Sequence, residues 1–220
     1  MTVAEAPERS VPKLLPYYLA QATAIGSLAS VIALLGDIRD TFALSETRVG
    51  LIVGAGFFTA FVTQLTLARL ADRGYAPIMT RVGLVAAAAS MIGFAFADTF
   101  WEFVVARGVL GIAVGLAQPA VRRTVILADP EQTGRNIGRL GVAEVIGFAL
   151  APVFAALLAE VGSLDLPFYV MAAIILGVTI GTRTLVSDEG AQSEEIRAPF
   201  ASFATVGWSA RSLSSPASSS

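Results

Sequence analysis

Residues 67–74 read LARLADRG and place Arg69, Asp72 and Arg73 between two long apolar stretches. Hydrophobic residues make up 55% of the 220-residue chain and charged residues only 15%, with a mean hydropathy of +0.72. A soluble domain covers its core with charged side chains, whereas a membrane domain has lipid outside. The composition therefore predicts an all-α integral membrane protein, with this charged stretch at an edge of the bilayer.

Six apolar stretches are long enough to cross a bilayer as helices, which takes about 20 residues each. They lie at residues 14–35, 49–67, 77–97, 103–120, 140–158 and 166–180. The short connections at 98–102 and 160–165 predict that consecutive helices are antiparallel neighbours. The predicted domains are an N-terminus at residues 1–13, a six-span bundle at 14–184 and a polar, serine-rich tail at 185–220 that we expect to be disordered.

Basic residues predict the orientation of these spans. With the N-terminus in the cytoplasm, ten arginines and lysines flank the spans on the inner side, and two, Arg39 and Arg48, lie outside. Short cytoplasmic loops carry an excess of such residues. We therefore expect a multi-pass protein of the cell (plasma) membrane with both termini in the cytoplasm.

Three residue types are absent or nearly so. The chain has no histidine and no cysteine, and Lys13 is its only lysine. Ser-His hydrolases, His- or Cys-ligated metal sites and P-loop nucleotide sites are thereby excluded. A net charge of −2 without a basic block indicates no nucleic-acid partner. We expect no enzyme activity, no cofactor and no metal.

The charged stretch on the predicted cytoplasmic side contains LADR at residues 70–73. It resembles the signature loop of the major facilitator superfamily, G-x-L-A-D-R-x-G-R-[RK], with alanine for the first glycine and Gly74 one place early. The resemblance implies a gating role for Arg69, Asp72, Arg73 and Gly74. An aspartate here can accept hydrogen bonds from a neighbouring helix N-terminus or pair with an arginine. Ordinary positively charged flanking residues are the alternative.

The fourth predicted span reads ARGVLGIAVGLAQPAVRR at residues 106–123. It is similar to the superfamily's R-x-x-x-G-x-x-x-G pattern, with Arg107, Gly111 and Gly115 in the matching places. Glycines four residues apart line one helix face, so helix packing also explains them. Helix packing does not explain Arg107, which lies inside the span.

The fifth span and the loop before it add two further resemblances. Residues 147–156, GFALAPVFAA, are similar to the pattern G-x-x-x-G-P-x-x-G-G, which is linked with antiporters; Gly147 and Pro152 match, and alanine replaces three glycines. Residues 134–139, GRNIGR, are similar to the basic loop between spans 4 and 5.

Four motifs in the right order identify the chain as similar to the N-terminal half of the superfamily fold, with two repeats of three helices. The resemblance implies a secondary active transporter of small molecules that works by alternating access, with antiport and a coupling proton left open. One half supplies only one wall of a substrate cavity, so transport needs a homodimer or a partner half. The alternative is a transport-inactive membrane fragment, or an interaction or regulatory membrane protein.

Three ionisable residues lie within or at the edge of the predicted spans: Arg107, Glu144 and Asp37. Such residues usually face a cavity or a partner, because an unpaired charge in lipid is unfavourable. We expect Glu144 to pair with an arginine of the cytoplasmic charges around Asp72 and Arg73 or, alternatively, to carry a coupling proton. We expect Arg107 to attract an anionic substrate or to pair with Asp37.

Three glutamines, Gln21, Gln64 and Gln118, also lie within the spans. Spans 1 and 4 line the central cavity in the superfamily, so the resemblance implies that Gln21 and Gln118 contact substrate. Hydrogen bonds between neighbouring helices are the alternative for all three.

The chain ends in SARSLSSPASSS at residues 209–220, which resembles none of the preceding sequence. A disordered terminus is one interpretation. The other is a frameshift after Phe200, because TCN serine codons shifted by one base encode apolar residues. One permitted shifted frame encodes a basic flank followed by an apolar run, as expected for a seventh span.

Overall fold

The computed structural model describes residues 14–183, and for Arg183 only the backbone. All regular structure in this range is helical. The α-helices are α1 (Leu15–Thr41), α2 (Glu46–Leu70), α3 (Ala76–Ala95), α4 (Phe100–Ala128), α5 (Thr133–Val161) and α6 (Leu166–Arg183). The predictions for residues 1–13 and 185–220, including the frameshift, fall outside the described residues.

Four helical segments are long and apolar enough to cross a membrane: Leu15–Thr41, Glu46–Ala95, Phe100–Ala128 and Pro130–Val161. The second is 50 residues long and contains both α2 and α3. A shorter apolar helix lies at Leu166–Thr182. The prediction of an all-helical fold is confirmed for the described residues.

Most of the helices extend beyond the apolar stretches that predicted them, because a polar flank still satisfies its backbone groups by continuing the helix, whereas α3 ends two residues before its predicted end. At the N-terminus of α4 a side chain satisfies the backbone instead: Glu102 Oε2 accepts hydrogen bonds of 2.8 Å from the N–H groups of Asp98 and Thr99. The prediction of a loop at residues 134–139 is wrong, because these residues lie in the first turns of α5. Two glycines there are too few to break a helix.

The helices do not pack in chain order. The most extensive contacts join α4 to α2 and to α3, α1 to α5, and α3 to α6. The prediction that consecutive helices are neighbours therefore holds for α3 and α4 but is wrong for the other consecutive pairs, which contact each other little. The reason is that the small residues permitting close approach lie on faces that meet non-consecutive helices.

The surface of the bundle is largely apolar. Large side chains are exposed along α2, such as Phe58 and Phe61, and along α5, such as Val145 and Phe154. In water such faces would be unfavourable, whereas against lipid or another helix they are not. Polar side chains that are buried inside the bundle are therefore exceptions to this pattern.

Candidate functional site

The turn between α2 and α3 defines one end of the bundle, which we call the Asp72 end. Residues Ala71–Tyr75 connect the two helices through a kink, at which Gly74 has φ 90° and ψ 2°. This left-handed backbone strongly favours glycine, which has no Cβ. The side chains of Arg69 and Arg73 are exposed, and neither makes a hydrogen bond or an ion pair with another described residue.

Asp72 is bound by an arginine of α4. Arg123 Nη1 donates to Asp72 Oδ1 at 2.8 Å, and Arg123 Nη2 donates to the Asp72 carbonyl oxygen at 3.2 Å. The aspartate side chain is 71% exposed and that of the arginine 30%. This ion pair ties the α2–α3 turn to the end of α4.

A second ionic contact at the same end joins α5, α4 and α1. Arg122 Nη2 donates to Glu144 Oε1 at 2.9 Å, and Gln21 Nε2 donates to the same oxygen at 2.7 Å. The Gln21 side chain is fully buried, and its Oε1 has no hydrogen-bond partner among the described residues. Glu144 is thus an arginine's partner, and the arginine comes from α4 rather than from the α2–α3 turn.

Two further hydrogen bonds connect side chains across helices. Tyr18 donates from its hydroxyl to Asn136 Oδ1 at 3.3 Å, again between α1 and α5. Gln64 Nε2 donates to Gln118 Oε1 at 3.3 Å, between α2 and α4. Both bonds are longer than the usual range and therefore weak. The three glutamines all bond other helices, although Gln64 remains exposed.

Arg107 lies deep in the bundle, with no exposed surface. Its Nη1 donates to the carbonyl oxygen of Leu28 in α1 at 3.4 Å, while Nε and Nη2 have no partner among the described residues. Its Cζ lies 5.9 Å from the ring centroid of Phe57 in α2. Asp37 is exposed and forms no ion pair with Arg107.

The motif glycines lie where helices approach most closely. A Cβ on Gly111 would contact the carbonyl oxygen of Gly56 and the hydroxyl of Thr59, and one on Gly115 would lie 2.8 Å from Thr63 Cβ, so these glycines pack α4 against α2. Gly147 lies against the Ala22 backbone and packs α5 against α1.

Pro152 lies inside α5, one turn beyond these close contacts, and is half-buried.

A groove of about 560 Å³ lies between α3 and α4 at the opposite end of the bundle from Asp72, lined by residues such as Ser90, Phe96 and Trp101. None of the predicted site residues lines it. The described residues contain no group of three or more acidic side chains that could hold a metal ion.

The partners in the two interhelical ion pairs are not predicted by the sequence. Arg122 and Arg123 count there only among the ten inner flanking charges, and no contact is predicted for Tyr18 or Asn136. The adjacent arginines at the end of a glycine-lined helix were a signal that this segment binds carboxylates. Nothing in the sequence spacing assigned Arg122 to Glu144, because the contact joins residues 22 positions apart on different helices.

Comparison with known proteins places these features in a family. The sequence matches the model of the Major Facilitator Superfamily over residues 17–216. It is 26% identical over 159 residues to the quinolone resistance protein NorA of Staphylococcus aureus strain MRSA252, covering 72% of this chain and 41% of that protein. It is 28% identical over 172 residues to multidrug resistance protein 1 of Bacillus subtilis strain 168, covering 76% of this chain and 43% of that protein.

The apolar helices and these matches together indicate a multi-pass membrane protein. The chain belongs to the major facilitator superfamily, as its motifs indicated, and members of this family act on small molecules at the membrane. The chain spans about two fifths of the length of these two relatives.

Proposed function

We propose that all six helices cross the plasma membrane and that both termini lie in the cytoplasm. The distribution of charge supports this orientation, because Arg69, Arg73, Arg122 and Arg123 lie at the Asp72 end. The 18 residues of α6 extend about 27 Å at 1.5 Å per residue, close to the hydrocarbon thickness of about 30 Å.

The chain acts in this proposal as one half of a secondary transporter with alternating access. The observation that carries the proposal is the pair of ionic contacts at the Asp72 end. Arg123 of α4 holds the turn between α2 and α3, while Glu144 of α5 links Arg122 of α4 to Gln21 of α1. Both contacts thus join the first three helices to the last three at a single end.

The strength of these contacts suits a reversible closure. An ion pair between exposed side chains stabilises a protein by only about 0–1 kcal/mol. A change of 1.4 kcal/mol shifts an equilibrium about tenfold. The Asp72–Arg123 pair can therefore bias the bundle towards one conformation and still be broken during each transport cycle.

The substrates in this proposal are drug-like organic molecules, since the relatives are named for quinolone and multidrug resistance. A second six-helix half, from a longer protein or from a second copy of the chain, supplies the other cavity wall. The exposed apolar faces of α2 and α5 provide a surface for it. A coupling proton is part of the proposal, and collapse of the proton gradient should then stop transport.

The test is uptake of a fluorescent quinolone into everted membrane vesicles that carry the full chain. Asp72→Asn should lower the initial rate several-fold, and the exchange Asp72→Arg with Arg123→Asp should restore part of it. Asp40→Asn is the matched control, because Asp40 forms an exposed ion pair with its neighbour Arg39 at 2.9 Å without joining two helices. This control should transport at the wild-type rate.

Two results would contradict the proposal. Uptake by the wild-type chain no greater than in vesicles without it would favour the alternative, a transport-inactive or regulatory membrane protein. Equal rates for Asp72→Asn and Asp40→Asn would show that the Asp72–Arg123 pair does not control transport.

A further inference from the structure

We propose that the groove between α3 and α4 holds one acyl chain of a phospholipid whose headgroup carries a primary ammonium, and that Asp98 and Glu102 bind this ammonium. The inference rests on the membrane topology of the proposed function and adds a lipid ligand to it. Three features of the groove carry the proposal: its apolar walls, its length and the charge at its mouth.

Small residues where α3 meets α4 form the floor of the groove, and large side chains form its walls. Ser90 Oγ donates to the Ala106 carbonyl oxygen at 2.8 Å and joins the two helices at the floor. A Cβ added to Gly93 would lie 3.4 Å from Ala106 Cβ, so the glycine leaves open space there. Phe96 and Trp101, in the walls, are 68% and 70% exposed. The volume of about 560 Å³ is that of a ligand pocket, typically about 300–1,000 Å³.

The groove runs from the edge of the bilayer towards its centre. Its mouth lies at Trp101 in the first turn of α4, and its lining reaches Val109, eight residues further along the helix. Eight residues rise about 12 Å, which is most of the about 15 Å that one leaflet contributes to the hydrocarbon core. The indole ring favours the interface between lipid and water. This length therefore fits one acyl chain parallel to the helices, with its headgroup at the mouth.

Two carboxylates lie at this mouth, and neither forms an ion pair with another described residue. Glu102 lines the groove, and the N–H groups of Asp98 and Thr99 donate to its Oε2 at 2.8 Å, which holds its charge in place. The Asp98 side chain is exposed. A primary ammonium offers three N–H donors to such carboxylates. The quaternary ammonium of a choline headgroup offers none, and an anionic headgroup is repelled.

Trp101 reports directly on the lipid in the groove. The chain contains two tryptophans, Trp101 and Trp208, so Trp208→Phe leaves one fluorescent indole. The full chain with this substitution is reconstituted in phosphatidylcholine vesicles that contain a low fraction of a lipid with brominated acyl chains, which quench tryptophan fluorescence on contact. The association constant from quenching should be about two- to fivefold larger for brominated phosphatidylethanolamine than for brominated phosphatidylcholine or phosphatidylglycerol, the range that one exposed ion pair supplies.

Two variants test the two parts of the site, each with a matched control. Asp98→Asn should remove most of the preference for phosphatidylethanolamine, whereas Asp40→Asn, which changes the same charge at the same end of the bundle but does not line the groove, should keep it. Gly93→Leu should also remove the preference, because its side chain fills the open space above the floor. Gly50→Leu, at an exposed position of α2 where a Cβ has no atom within 4 Å, should not.

Two results would overturn the proposal. Equal association constants for the three brominated lipids would show that Trp101 contacts lipid without selection of a headgroup. A preference for phosphatidylethanolamine that persists in both Asp98→Asn and Gly93→Leu would show that the lipid binds elsewhere. If Gly93→Leu loses its helical circular dichroism, Asp98→Asn alone decides.

These measurements need no gradient and no second half, so they fail independently of the transport assay. A chain that selects the lipid but takes up no quinolone keeps the groove as a lipid site and contradicts the transport function. A chain that transports the quinolone without a headgroup preference has the opposite meaning. Absence of quenching by every brominated lipid would contradict the membrane topology on which both proposals rest.

Discussion

Replacement of Gly147 by alanine tests the packing of α5 against α1. A Cβ at this position would contact the carbonyl oxygen of Ala22 and lie 2.8 and 2.9 Å from its carbonyl carbon and Cα. All three atoms belong to the backbone, which cannot rotate away as a side chain can. An ordinary contact requires at least 3.4 Å, so the backbones of the two helices have to move apart by more than half an ångström.

The expected cost follows from two opposing effects. Overpacking of this kind destabilises by about 1–3 kcal/mol. Alanine is favoured over glycine within a helix by about 0.5–1 kcal/mol. Gly141 lies on the same helix, and a Cβ added there would have no atom within 4 Å. Gly141→Ala therefore changes only the helix propensity and should stabilise the protein. The difference between the two variants is therefore the packing cost alone, about 1–3 kcal/mol.

The assay is reversible unfolding of the full chain in mixed micelles with increasing dodecyl sulfate, followed by helical circular dichroism. Gly147→Ala should unfold at a lower dodecyl sulfate fraction than the wild type, and Gly141→Ala at an equal or higher one. If both variants change the free energy of unfolding by the same amount, α1 and α5 do not approach closely at Gly147, and the reasoning is refuted.

Three further predictions use the same unfolding assay. Gly74→Ala should destabilise by about 1–2 kcal/mol because its φ of 90° is unfavourable for alanine. Gly138→Ala, where an added Cβ has no atom within 4 Å, should not destabilise. Equal effects of the two substitutions would show that Gly74 does not have this backbone conformation. Glu144→Leu should destabilise by about 1–3 kcal/mol because it leaves the buried Gln21 amide without an acceptor. Glu144→Gln keeps an acceptor oxygen and should cost about 1 kcal/mol or less, so similar losses in the two variants would contradict this assignment. Glu102→Ala should destabilise by about 1 kcal/mol, because it removes two 2.8 Å bonds at the start of α4; no change would show that the cap contributes nothing.

The sequence predicted which residues belong to the candidate site, but not which of them contact each other. LADR at residues 70–73 identified Asp72 as an ionic residue at a turn, and Glu144 stood out as a charge within an apolar segment. Their partners could not be predicted, because several arginines lie at the same end and spacing does not show which of them faces each carboxylate. Arg73 was the nearest candidate for Asp72 in sequence, and the structure selects Arg123.

Sequence alone determined the helical membrane class, the approximate helix positions and the family. These follow from local properties, since an apolar segment in lipid has to satisfy its backbone hydrogen bonds within itself. Only the tertiary structure decided that α1 packs on α5 and α4 on α2, that Gln21 bonds Glu144, and that Arg107 lies beside Gly56. Lipid provides little hydrophobic preference for one helix pairing over another, so the arrangement depends on close contacts between small residues that no single segment reveals.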